Sequence, residues 1–193
     1  MKRPFWIAVA VAVIVVLADQ LTKMWAIENL QDGKVIPFIG DFIRFWLVYN
    51  PGAAFSIGEN FTWIFAIVAA VVVVGIVVFA WKVRSTSWTV VLGLILGGAT
   101  THLGDRLFRE PGFARGHVVD FIAYGNWFVG NVADIVIVVG AALAVLFTLL
   151  KVPLKRDPSA RDAAKNHAAN DGSNDDASRG DVAADDRDPA PVN

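Results

Sequence analysis

The chain has 193 residues, 55% of them hydrophobic and 18% charged, with a mean hydropathy of +0.53 and a formal net charge of −1. That balance excludes an ordinary soluble domain and points to an integral membrane protein. There is no cysteine, which removes disulfides, thiolate catalysis, Cys-type metal sites and lipidation of the chain's own cysteines, and no Lys/Arg stripe interleaved with aromatics marks a nucleic-acid surface.

Four apolar runs follow one another, each near the 20 or so residues that a membrane helix needs. The first spans about 5–27, behind the basic start Met1-Lys2-Arg3. Its opening also has the form of a secretory signal peptide, with Val16-Leu17-Ala18 as a cleavage site. Against that, Leu21, Met24, Trp25 and Leu30 continue the helical pattern with no Pro or Gly before Gly33. Asp19 and Lys23 are four residues apart, share a helix face and can form a structural ion pair.

The loop over 28–60 is too long and too apolar for a plain connector. Lys34 to Ile39 and Phe42 to Tyr49 are rich in β-branched and aromatic residues around the turn Ile39-Gly40-Asp41, which predicts a short hairpin. Phe42, Phe45 and Trp46 suit the water–lipid boundary, and a small sheet there could take an extended peptide by strand addition or serve only as an anchor. The stretch Asn50-Pro51-Gly52-Ala53-Ala54-Phe55 reads as a tight turn whose small residues allow close backbone approach.

The second run, about 61–81, carries no charge, and the third, about 85–104, carries only His102. Asp105-Arg106 closes the third run, with a salt bridge or a lipid phosphate as the expected partner of Arg106. A loop over 105–129 holds Asp120. The fourth run, about 130–150, carries only Asp134. Residues 157–193 are rich in Asp, Ala, Asn and Pro, cannot bury enough surface to fold, and read as a disordered tail. Two domains follow: a membrane domain over 1–156 and that tail.

Lys2 and Arg3, then Lys82 and Arg84, then Lys151, Lys155 and Arg156 flank the runs on one side, which makes both termini cytoplasmic. With alternating helices, Asp19, Asp105, Asp120 and Asp134 gather at the opposite face. A charged group at the bilayer centre costs roughly 2.5–3.5 kcal/mol on insertion scales, so four acids in one layer mark a site. Asp120 and Asp134 are the sharpest pair. Two close carboxylates share a proton, and such a dyad can activate water with one member and protonate a carbonyl with the other. The helix N-terminus would favour the charged form of Asp134. On spacing alone, Asp134 could equally cap its helix while Asp120 is a solvated loop residue. His102 is a hydrogen-bonding core residue or a titrating member of the site. With His102 and His117 the only histidines before the tail, no metal and no cofactor is expected.

Taken in order, Asp19-Gln20-Leu21-Thr22-Lys23, Asn50-Pro51-Gly52-Ala53-Ala54-Phe55-Ser56, Gly98-Ala99 through Asp105-Arg106, Val118-Val119-Asp120-Phe121 and Asn131-Val132-Ala133-Asp134 resemble the motifs of the lipoprotein signal peptidases, also called signal peptidase II. The resemblance covers residues 1 to about 152. It implies an all-α membrane protein with four transmembrane helices and a small extracytoplasmic β-cradle between helices 1 and 2. It implies an intramembrane aspartic endopeptidase that cuts prolipoproteins before a diacylglyceryl-modified cysteine, with Asp120 and Asp134 catalytic. Asp19, Lys23, Asn50, Gly52, Asp105, Arg106 and Asn131 fall on supporting or substrate-binding motif positions. The implied partners are lipidated prolipoprotein signal peptides and membrane lipids, for a monomer in the cytoplasmic membrane with an extracytoplasmic site and no nucleic acid. The chain departs from the family pattern at Thr101 and His102, where Gly and Asn are usual, and at Gly130, where Phe is usual. Two rival readings are a non-catalytic paralogue that binds lipidated peptides and a small proton-coupled transporter, the latter needing polar residues through the full bundle depth.

Overall fold

The computed structural model describes residues 3–52 and 62–154. The second half of the Asn50–Ser56 motif and the tail expected from 157 lie outside them. The chain runs α1 (Arg3–Asn29), β1 (Val35–Ile39), β2 (Ile43–Asn50), α2 (Thr62–Lys82), α3 (Thr86–Phe108), β3 (Val118–Tyr124), β4 (Phe128–Gly130) and α4 (Val132–Leu149). The fold is mostly helical. Among the described residues three helices, within Pro4–Asn29, Thr62–Lys82 and Val132–Leu149, are long and apolar enough to cross a membrane.

The fourth helix of the bundle, α3, is less apolar because of where it stands. It packs against α1, α2 and α4, so its neighbours cover much of it. Enclosure by protein lets it bury Thr101, Asp105 and Arg106. It also brings the helix backbones close. A Cβ added to Gly93 would lie 2.7 Å from the Ala8 carbonyl oxygen, and one on Gly97 would lie 2.6 Å from Val15 Cβ and 2.9 Å from the Ala12 carbonyl oxygen. On the other side, one on Gly98 would meet Ile137 Cγ1 at 2.5 Å. Lipid tails are as apolar as leucine, so membrane helices associate by this close packing of small residues rather than by escape from water.

The sheet is antiparallel, in the order β1-β2-β3-β4. The hairpin expected in 28–60 is present as β1 and β2. The connection over 105–129 contributes the other half, so the sheet is built from both connections on that side of the bundle rather than from the first alone. Phe121 and Ile122 of β3 share a buried cluster with Ala26 and Leu30 at the end of α1, and Phe45 is edge-on to Trp25 at 5.4 Å. At the far end of the bundle, Trp88 packs on Phe147 and donates its indole N–H to the Val152 carbonyl at 3.0 Å, joining α3 to the chain leaving α4.

Gly97 and Gly75 separate packing from helix propensity. Gly97→Ala places a methyl against backbone and Val15, and should lower the thermal midpoint in detergent by the equivalent of about 1–3 kcal/mol. Gly75 has open space around its Cβ position, so Gly75→Ala should leave the midpoint unchanged or raise it by up to about 1 kcal/mol. Equal effects of the two would contradict the close α1–α3 contact.

Candidate active site

Polar side chains converge where α1, α3, the sheet and the start of α4 meet. Lys23 is fully buried between two carboxylates, 2.7 Å from Asp19 Oδ2 and 2.6 Å from Asp105 Oδ2. Each acid has further partners. Asp105 Oδ1 accepts from Arg109 Nε at 2.7 Å and from Gln20 Nε2 at 3.2 Å. Asp19 Oδ1 accepts the backbone N–H of Ala133 at 2.9 Å, so α1 supplies one of the four partners that the N-terminus of α4 lacks.

The same helix end is capped a second time from within. Asn131 Oδ1 accepts the Asp134 N–H at 3.1 Å, and Asp134 Oδ2 accepts the Asn131 N–H at 2.8 Å. This reciprocal pair is a capping box built from Asn and Asp. The side-chain amide of Asn131 also donates to Asp120 Oδ1 at 2.6 Å, so one buried residue bonds to both carboxylates, to Asp120 through its side chain and to Asp134 through its backbone N–H.

Asp120 is on β3, opposite Val48 of β2, not in a loop. Its second oxygen, Oδ2, accepts from Asn50 Nδ2 at 3.0 Å. That bond depends on a bulge. Phe45 pairs with Ile122, but Val48 rather than Leu47 pairs with Asp120, so β2 carries one extra residue. Side chains alternate along a strand, and without the insertion Asn50 would face away from Asp120. Burial pushes the Asp120 carboxyl up to about 6; the Asn50 hydrogen bond pulls the other way, and the nearby Asp134 adds to the rise.

Among the described residues Arg106 makes no salt bridge; it bonds to backbone carbonyls instead. Its guanidinium donates to the carbonyls of Asn50 at 3.2 Å, Pro51 at 2.7 Å and Gly116 at 3.2 Å, and to that of Gly52. It therefore clamps the turn after β2, which Asn50 also closes by accepting the Gly52 N–H at 3.0 Å. His102, one turn earlier on α3, has Nε2 3.1 Å from Asp134 Oδ1.

A cavity of about 460 Å³ opens between α2, α3 and β4. Asp120, Asp134, His102, Arg106, Asn50 and Gly52 give it polar walls, and Phe65, Ala69, Val118, Phe128 and Val129 give it apolar ones. Asp120 is 3% exposed, whereas the Asp134 side chain is 41% exposed. Of the residues singled out in the sequence, Asp120, Asp134, Asn50, Gly52, Arg106 and His102 line this space. Asp19, Lys23 and Asp105 lie behind it, buried, and Asn131 joins the layers. Nothing in the residue pattern pointed to Asn131 bonding to both acids, to the Asp19 cap on α4, or to Gln20 and Arg109 beside Asp105. Gln20 is on the first motif, but its partner is 85 positions away.

The family model for signal peptidase (SPase) II matches residues 11–150. A lipoprotein signal peptidase of Rhodococcus jostii is 48% identical over 140 residues, 72% of this chain and 71% of that one. One from Mycolicibacterium smegmatis is 46% identical over 148 residues, 77% of this chain and 63% of its own length. Among solved structures, a bacterial membrane enzyme determined by the in meso method at 2.3 Å resolution superposes with a TM-score of 0.67 and 27% identity, over 78% of this chain and 92% of that one.

Two variants test the electrostatics. Lys23→Met leaves two buried carboxylates without their shared cation and should cost about 3–5 kcal/mol of stability, read as a lower unfolding midpoint in detergent. Asp120 has a folded value above its unfolded one, so its contribution favours folding at low pH and fades as pH climbs through about 6. The midpoint of the unmodified protein should therefore fall between pH 4 and pH 7 relative to Asp120→Asn, by up to about 3 kcal/mol equivalent. A gap that stays constant over that range would contradict the buried carboxyl.

Proposed function

The chain belongs to the signal peptidase II family, aspartic proteases that remove signal peptides from prolipoproteins, and we propose how its own residues carry out that cleavage. The chain is a membrane protein and an endopeptidase of that kind.

Asp120 and Asp134 are the catalytic pair. The observation that carries this reading is the shared geometry: two aspartates from different elements face one cavity and are tied to each other through Asn131. Asp120 is buried and holds its proton up to about 6, which suits a general acid. Asp134 stands open to the cavity, where water can reach it, which suits a base. The scissile carbonyl lies between them. Asp134 takes a proton from water as the water oxygen bonds to the carbonyl carbon, and Asp120 gives its proton to the carbonyl oxygen. The tetrahedral diol then collapses. The C–N bond breaks, the leaving nitrogen takes the proton from Asp134, and a diol hydroxyl returns one to Asp120. The products are the signal-peptide carboxylic acid, which then loses its proton to water, and the amine of the new N-terminal cysteine, with both catalytic acids restored.

The cut falls before a diacylglyceryl-modified cysteine. Its acyl chains stay in lipid at about 0.8 kcal/mol per buried CH₂, which fixes the depth of the bond presented. The peptide enters laterally. The apolar walls of the cavity, Phe65 and Ala69 on α2 among them, support that route. In this arrangement α3 is the fourth membrane span, both termini are cytoplasmic, and the sheet and the acid layer are at the extracytoplasmic face of the cytoplasmic membrane. The flanking charges Lys82, Arg84 and Lys151 at the other end support that orientation. The protein works as a monomer, since one chain contributes every group named here. Neither rival reading gains support: the named relatives are peptidases, and α2 carries no charge before Lys82.

Purified protein with a lipidated lipobox peptide tests this directly. Asp120→Asn and Asp134→Asn should each lower cleavage by about 10²–10⁴-fold or more while the protein stays in the membrane. The same peptide without its acyl chains should not be cut. Near-normal cleavage by either variant would reject the pair.

A further inference from the structure

His102 and Gly130 act on different oxygens of the Asp134 carboxylate. The imidazole of His102, on α3, places Nε2 3.1 Å from Oδ1. Oδ2 accepts the Asn131 N–H at 2.8 Å and occupies the place where a side chain at position 130 would begin. A Cβ built on Gly130, the last residue of β4, would lie 2.9 Å from that oxygen and 3.6 Å from Cγ. Asp134 is short and held at both oxygens, so it cannot yield that space without losing a hydrogen bond. His102 and Gly130 are also two of the positions at which the chain departs from the motif pattern it otherwise follows.

We propose that His102 and Gly130 are a coupled positioning pair for Asp134: the imidazole holds one carboxylate oxygen, and the bare backbone at 130 makes room for the other. The two departures then compensate each other. An imidazole reaches further from the backbone than a carboxamide and approaches Oδ1, while the removal of a side chain at 130 keeps Oδ2 on its N–H. Neither residue is assigned contact with the scissile bond, so each acts through Asp134. The inference rests on the reading of Asp134 as a catalytic residue.

The test compares His102→Ala, His102→Gln, Gly130→Ala and the Ala/Ala double variant in full-length protein, on the lipidated peptide, with Asp134→Asn alongside. Misplacement by about 1 Å can cost 10²-fold, so His102→Ala and Gly130→Ala should each lower kcat by about 10–100-fold with KM within about twofold. His102→Gln, whose amide N–H reaches about as far as Nε2, should recover most of the loss. The double variant should be little worse than the poorer single one, because both act on one carboxylate. The pair is overturned if His102→Ala keeps full kcat, if the loss lies in KM, if His102→Gln is no better than His102→Ala, or if the two losses multiply. Should Gly130→Ala fail to fold, the contrast between His102→Ala and His102→Gln decides alone. Activity in Asp134→Asn would overturn the catalytic reading itself, whereas an inactive Asp134→Asn beside a fully active His102→Ala overturns only the pair.

Discussion

The rest of the structure depends on Lys23 and the two carboxylates that neutralise it. An ammonium with no access to water is tolerated only when it is paired and hydrogen-bonded. Here the pairing draws on α1 and α3, and through the second oxygen of Asp19 it reaches the first turn of α4. Three helices are thereby fixed at one height. Small-residue packing sets how closely α1 and α3 approach, but shape alone would allow the helices to slide. A one-turn slip along α1 would strand the charge, so the ion cluster sets the register that packing leaves open.

Above that cluster, Asp120 is held by side-chain amides rather than by cations. Asn131 and Asn50 each donate to one oxygen of Asp120. Amides orient a carboxyl without fixing its charge, which leaves Asp120 free to gain and lose a proton. Asp105 shows the opposite arrangement, with Lys23 and Arg109 both against it, and belongs to the scaffold.

Much of this could be read in the sequence, and the gaps have physical causes. Helix parity was enough to place Asp19, Asp105, Asp120 and Asp134 in one layer. The hairpin over 35–50 was legible in its β-branched and aromatic residues around a Gly-Asp turn. Strand β3 was not, because Val118 to Ala123 are all buried and show no alternation to mark a half-exposed strand. Arg106 looked like a helix-end charge meant for an acid or a lipid phosphate. Its partners are backbone carbonyls, three of them on a turn more than fifty residues earlier, and carbonyls leave no trace in side-chain patterns. The bulge in β2 was equally hidden, since an extra residue is visible only against the partner strand.

The pairing of β2 with β3 ties the connection after α1 to the connection after α3. A ribosome makes these pieces far apart in time. Asn50 and the buried ion pair of α1 are made early, while Asp120, Asn131 and Asp134 come last. Until α4 has emerged, Asp19 has no Ala133 N–H to accept and the two acids cannot meet. The two acids therefore come to share one cavity only once the final helix has seated.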